Sequence, residues 1–71
     1  VGGITFKITE HIFSLQSSGA FKKELNKVSW NGRDPVYDLR GWNEDHTKMT
    51  KGITLTMDEF EEFITKIKEE F

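Results

Sequence analysis

The chain has 71 residues, no cysteine and a formal charge of −2, from ten basic and twelve acidic groups. These figures predict a single domain, and they exclude from these residues a disulfide framework, a cysteine-based zinc site and a bulk polycation that coats nucleic acid. A chain this short buries only about 60% of the surface its unfolded form exposes, so a second copy is an expected source of the missing core.

The net charge conceals an asymmetry. Residues 1–52 carry eight basic groups against six acidic ones, a balance of +2. Residues 53–71 carry two against six, a balance of −4. A split of this kind points to one surface that meets a polyanion. No apolar run approaches the ~18 residues of a membrane span. No membrane partner is expected, and the protein is expected in the cytoplasm, with the nucleoid as a possible setting. The chain opens on Val1 rather than Met, so its natural start is expected upstream.

Ile4, Phe6 and Ile8 alternate with Thr5, Lys7 and Thr9. Period two with β-branched and aromatic residues predicts a half-buried strand. Phe13 and Leu15 have the opposite parity to Ile8, so a bulge or bend is expected near Thr9–His11. Ser17, Ser18 and Gly19 form a turn cluster. A second strand runs from Lys23 to Asn31. Its outward face is undecided, because Leu25 and Val28 disagree in parity. Asn31-Gly32 and Asp34-Pro35 predict a hairpin loop. Val36 to Trp42 is a third strand, with Tyr37 and Leu39 on one face and Asp38, Arg40 and Trp42 on the other. Asn43 to Thr50 is a polar loop. Lys51 to Leu55 is a short fourth strand.

A helix of about fourteen residues closes the chain. Thr56 and Glu59 have the spacing of a capping box. Met57, Phe60, Phe63, Ile64, Ile67 and Phe71 recur at helical spacing. Glu62 and Lys66 form a favourable i,i+4 pair. The stripe either covers its own sheet or packs on a second copy, above all through Phe63, Ile67 and Phe71. The predicted fold class is therefore α+β: a four-stranded curved antiparallel sheet followed by one amphipathic helix, all in one domain over 1–71.

The sequence offers little for catalysis. His11 and His46 show no metal-ligand spacing. The serines have no nucleophile motif, and the glycines form no phosphate loop. Asp34 and Asp38 read as charge partners of Arg33 and Arg40 across strands. No enzyme, metal or cofactor is expected. A different constellation is informative. Phe21, Lys22, Lys23, Lys27, Trp30, Asn31, Arg33, Arg40, Trp42, Lys48 and Lys51 interleave cations and rings along the sheet. Single-stranded nucleic acid is held this way, with cations along the backbone and rings stacked on bases. Trp30 reads equally as a core residue or a stacking platform. Trp42, sharing parity with Arg40, is expected to be exposed.

Tyr37-Asp38-Leu39-Arg40-Gly41-Trp42, a polar loop, Lys51-Gly52-Ile53-Thr54-Leu55 and an amphipathic helix resemble the C-terminal domain of the coactivator family called positive cofactor four. Lys23-Glu24-Leu25-Asn26 and Val28-Ser29-Trp30-Asn31 are similar to the small bacterial YdbC-type members of that family. The resemblance covers roughly residues 4–70. It implies a ββββα fold and a homodimer paired through helices and fourth strands. It also implies sequence-tolerant binding of single-stranded DNA, in transcription or in the handling of melted DNA. Arg40 and Lys51 match nucleic-acid contacts of the family, and Trp42 falls at or beside its stacking aromatic. Phe21 fills the place of an aromatic in the bacterial members. Asn31 and Arg33 lie in the contact hairpin, where the family's aromatic is displaced here to Trp30. Phe60, Phe63, Ile64, Ile67 and Phe71 are the corresponding dimer contacts. Two other readings of the same surface are a dimeric protein-interaction module of the transcription machinery and single-stranded RNA binding.

Overall fold

The computed structural model describes residues 3–16 and 19–71. Strands β1 (Phe6–Ser14), β2 (Lys22–Trp30), β3 (Val36–Trp42) and β4 (Ile53–Leu55) form one antiparallel meander in the order β1-β2-β3-β4. Helix α1 (Met57–Glu70) follows. The predicted ββββα fold is the observed one. Of the predicted turn, Ser17 and Ser18 lie outside the described residues, and Gly19 has φ 102°. Lys51 and Gly52 precede β4 rather than belonging to it.

The hairpin between β2 and β3 follows from its sequence. Asn31 and Gly32 have φ of 52° and 75°, and the Arg33 N–H donates to the Trp30 carbonyl at 2.9 Å. Two successive positive φ values give the turn whose twist suits a right-twisted hairpin, and Asn-Gly is the pair that adopts it at least cost. Asn31 Oδ1 also accepts from the Thr5 N–H at 2.9 Å. The hairpin tip is thereby tied to the start of β1.

Strand β1 is irregular where a bulge or bend was expected. Register shifts fall between Ile8 and Glu10 and between His11 and Phe13. Before them Ile8 pairs with Val28; after them Phe13 pairs with Leu25. Leu25 and Val28 therefore point to opposite sides of the sheet. Their conflict of parity is real: the sheet has an apolar patch on each face.

One face is a deep trough. Phe6 pairs with Trp30, and Trp42 pairs with Lys22, eight residues away along β2. A straight strand would separate those positions by about 26 Å. Yet the Phe6 ring lies 5.9 Å from that of Trp30 and 5.1 Å from that of Trp42. The sheet must bend sharply to bring its two ends onto one ring. Val28 and Trp42 are buried in this trough, at 0% and 1% exposed. The expected exposure of Trp42 is thus overturned. Its parity with Arg40 is as predicted, but the face they share is concave and filled by Phe6.

The other face carries α1. Thr56 Oγ1 accepts from the Glu59 N–H at 3.1 Å, and Glu59 Oε1 accepts from the Thr56 N–H at 2.9 Å, completing the capping box. Phe60 stacks on Tyr37 at 3.7 Å between centroids and 15° between planes. Beyond that first turn Phe63 and Ile64 face the sheet across an apolar groove. No residue of α1 is fully buried. Phe63, Ile64, Ile67 and Phe71 all remain exposed, so the stripe does not simply cover its own sheet.

Gly52 fixes the approach of β4 to β3. A Cβ there would collide with the Cβ of Arg40 and lie 2.5 Å from the Leu39 carbonyl oxygen. Backbone, not a flexible side-chain tip, blocks the space. Gly52→Ala is expected to cost about 1–3 kcal/mol, the usual price of overpacking, in a urea unfolding titration.

Candidate functional site

The curvature sorts the cationic and aromatic residues into groups. Lys22 lies opposite Trp42, and Lys23 opposite Gly41. The Thr50 N–H donates to the Gly41 carbonyl at 2.9 Å, and the Gly41 N–H donates to Thr50 Oγ1 at 2.9 Å. The loop thus returns to the end of β3, with Met49 bridged to Trp42. Phe21 sits against Gly41, where its Cβ limits the space available to 3.3 Å. Phe21, Lys22, Lys23, Lys48 and Lys51 are exposed around this one end of the sheet.

The remaining candidates are placed elsewhere. Asn31 and Arg33 are exposed at the opposite hairpin. Lys27 is on the helix side of the sheet, opposite Tyr37. It lies 3.5 Å from Glu10 Oε1 and 5.4 Å from the Tyr37 ring centroid. Trp30 is half-buried. Its Nε1 and that of Trp42 have no hydrogen-bond partner among the described residues.

Arg40 is held rather than presented. Its Nε donates to Asp38 Oδ1 at 2.8 Å, and its Nη2 lies 2.8 Å from Asp38 Oδ2. The two residues are neighbours on one face of β3, not partners across strands as predicted. Asp38 is fully buried and the Arg40 side chain is 14% exposed. The guanidinium lies 4.7 Å from the Trp30 ring centroid. A planar fork that engages a carboxylate with two donors and a ring with its face is well suited to arginine. The pair fastens the middle of β3 to the far end of β2.

A second polar network crosses the trough wall. Glu24, on β2, is 7% exposed. His46 Nε2, from the loop after β3, lies 3.0 Å from both of its carboxylate oxygens. Asn26 Nδ2 donates to Glu24 Oε1 at 3.2 Å. Asn26 Oδ1 lies 2.7 Å from His11 Nδ1, and Ser14 Oγ lies 3.3 Å from His11 Nε2. Burial by itself would push the Glu24 carboxyl up. The bonds from His46 and Asn26, with the nearby imidazoles, outweigh burial and hold it below the usual 4.5. Sequence reading missed this network, because its members come from β1, β2 and a loop with no shared motif. Among the described residues, no group of three His, Cys, Asp or Glu side chains is arranged to hold a metal ion. No described helix is long and apolar enough to cross a membrane.

A sharply curved four-stranded meander, a single C-terminal helix and a cationic, aromatic end of the sheet define a small ββββα domain. The family described as Transcriptional Coactivator p15 (PC4) matches residues 20–66, and the chain belongs to that family. The match runs from just before β2 into the helix and leaves β1 outside. An uncharacterized protein of Treponema pallidum (strain Nichols) is 44% identical over 52 residues. Those residues are 72% of this chain, which spans 61% of that relative.

Two outcomes follow for the buried charges. Asp38→Ala leaves the Arg40 guanidinium without its carboxylate and is expected to cost about 3–5 kcal/mol in chemical denaturation. For Glu24 the folded carboxyl titrates below its unfolded value of 4.5. Its stabilisation is therefore present above that pH and lost as pH falls through the folded value. The stability difference between wild type and Glu24→Gln should shrink as denaturation is repeated below pH 4.5.

Proposed function

We propose that the protein is a non-catalytic homodimer that binds single-stranded DNA with little sequence preference. Its setting is transcription or the handling of melted DNA. The observation that carries this reading is the exposed group of Lys22, Lys23, Lys48 and Lys51 around Phe21 at one end of the curved sheet. Arg33 and Asn31 offer a second polar contact point at the opposite hairpin. Membership of the coactivator family supports the same reading. Phosphates meet the lysines and Arg33. Bases stack on Phe21 and on the exposed part of Trp30. Trp42 shapes the trough from inside, and Arg40 keeps Trp30 in place. The acidic helix segment lies apart from these cations, where it does not repel phosphate.

What the helix leaves uncovered supports the dimer. Phe13, Leu25, Leu39, Ile53, Phe63 and Ile64 contribute to an apolar groove of about 280 Å³ between helix and sheet. The radius of gyration is 13.2 Å. A compact monomer of this length would have about 11 Å. Buried hydrophobic residues among those described are Leu25, Val28 and Trp42, a thin core for one chain. A second copy laid on the groove through Phe60, Phe63, Ile64, Ile67 and Phe71 supplies the rest, and a two-fold pair of helices is self-complementary.

Fluorescence anisotropy tests the binding. An oligo-dT should bind more tightly than a duplex of equal length at equal salt, because duplex bases are already stacked. Equal affinities would remove the stacking role. If about five phosphates are neutralised, log affinity should fall with log salt at a slope near −3.5. Lys48→Ala and Lys51→Ala should each reduce that slope by about 0.7. Competition by oligo-U separates DNA from RNA preference, since the 2′-OH is the chemical difference. Light scattering should give twice the 8.3 kDa of one chain, and a mass of one chain at micromolar concentration would contradict the dimer.

A further inference from the structure

The two buried carboxylates of the trough are neutralised in different ways. Asp38 is paired with Arg40, whose charge is permanent at any ordinary pH. Glu24 faces His46 and His11 instead. Histidine is the side chain whose ordinary titration falls near neutrality. One buried acid is therefore held by a fixed charge and the other by charges that depend on pH.

We propose that His46 and Glu24 form a pH-set latch that holds the loop between β3 and β4, with Lys48 on it, against the trough. The link to nucleic-acid affinity rests on the function proposed above; the latch itself does not. The bonds of the loop tip otherwise run within the loop among the described residues. His46 N–H donates to the Asn43 carbonyl, Lys48 N–H to Asn43 Oδ1, and Thr47 Oγ1 to Asp45 Oδ1. Among the described residues of the loop tip, the His46 side chain reaches across to β2, to a carboxylate 22 residues earlier. Its ring also packs on Trp42 at 5.5 Å. His46 has φ 60°, a left-handed backbone that a non-glycine residue holds only when its surroundings favour it. The latch supplies that favourable contact.

Neutral His46 donates Nε2–H to the carboxylate. A proton taken up at Nδ1 makes the same contact an ion pair with a charge-assisted bond, which is shorter and stronger. The surrounding charges act in both senses: the cations favour the ionised carboxylate but oppose a proton on His46, and the acids favour that proton. Lys22 shares a cavity with Glu24, and Arg40 lies opposite it across the strands. Glu44 lines that same cavity, and Asp45 and Lys48 flank His46 in the loop. His11, 3.7 Å from Glu24 Oε1, competes for the same acid from β1. The latch is thus tighter with the imidazole protonated than with it neutral, and it is lost where Glu24 itself takes a proton.

Amide hydrogen exchange on the free protein reads the latch directly. After correction for intrinsic rates, residues 44–48 should exchange about fivefold more slowly near pH 5.8 than near pH 8, on either side of the ordinary histidine value. Amides of α1 should show no such change. His46→Asn tolerates the left-handed backbone but is too short to reach Glu24, and it should abolish the difference. Glu24→Gln should abolish it too, with the imidazole still present. His11→Gln should retain it. Loop protection that ignores pH in the wild type overturns the latch. So does an unchanged difference in His46→Asn, or a difference lost only in His11→Gln. Oligo-dT affinity, measured at the same two pH values, should rise in mild acid by a larger factor in wild type than in His46→Asn. If oligo-dT binds at neither pH, the proposed function fails, while the exchange result still decides the latch.

Discussion

The bend of the sheet is the constraint on which the rest depends. Phe6 touches both Trp30 and Trp42, although these mark opposite ends of β2 through their pairings. One ring thus fastens the two ends of a nine-residue strand. Aromatic pairs in tilted contact add to the area that they bury. The two register shifts in β1 allow the curvature, since each bulge bends its strand and increases local twist. Ile8 and Phe13, an odd number of residues apart, serve opposite faces by alternation, and the two shifts together preserve that parity.

Polar pairs then hold the curved sheet in place. Two acids and an amide, Glu24, Asp38 and Asn26, are buried beside Val28 and Trp42. Buried polar groups are tolerated where their bonds are complete. Asp38 receives Arg40, and Asn26 and Glu24 share a chain of bonds that runs from Ser14 to His46. These contacts join β1, β2, β3 and the loop that carries Lys48. The shape of the cationic end of the sheet is therefore set by interior groups. Arg40 is a case in point: its charge is spent on Asp38, and what it offers the outside is a correctly placed Trp30.

The two faces of the sheet have different uses. The trough is filled by the protein's own rings. The helix side keeps a groove open, with Phe60 docked on Tyr37 and Phe63 and Ile64 facing the sheet across it. A helix whose stripe is only partly covered by its own sheet leaves apolar surface for another chain. The charge asymmetry follows the same division, with exposed lysines at the end of the sheet and acids along the helix.

The sequence by itself determined the elements and their order. The Asn31-Gly32 turn, the capping box at Thr56 and Glu59, and the stripe from Phe60 to Phe71 are local, and each depends on residues within a few positions. Alternation along β3 also named the right face for Trp42 and Arg40, and the broken parity of β1 announced its bulges. Only the tertiary structure decided which face is concave. A period of two says which side a residue points to, but not whether that side bends inward and fills. For that reason Trp42 is buried where exposure was expected, Lys27 is separated from the other cations, and His11 and His46 meet at Glu24 from distant parts of the chain.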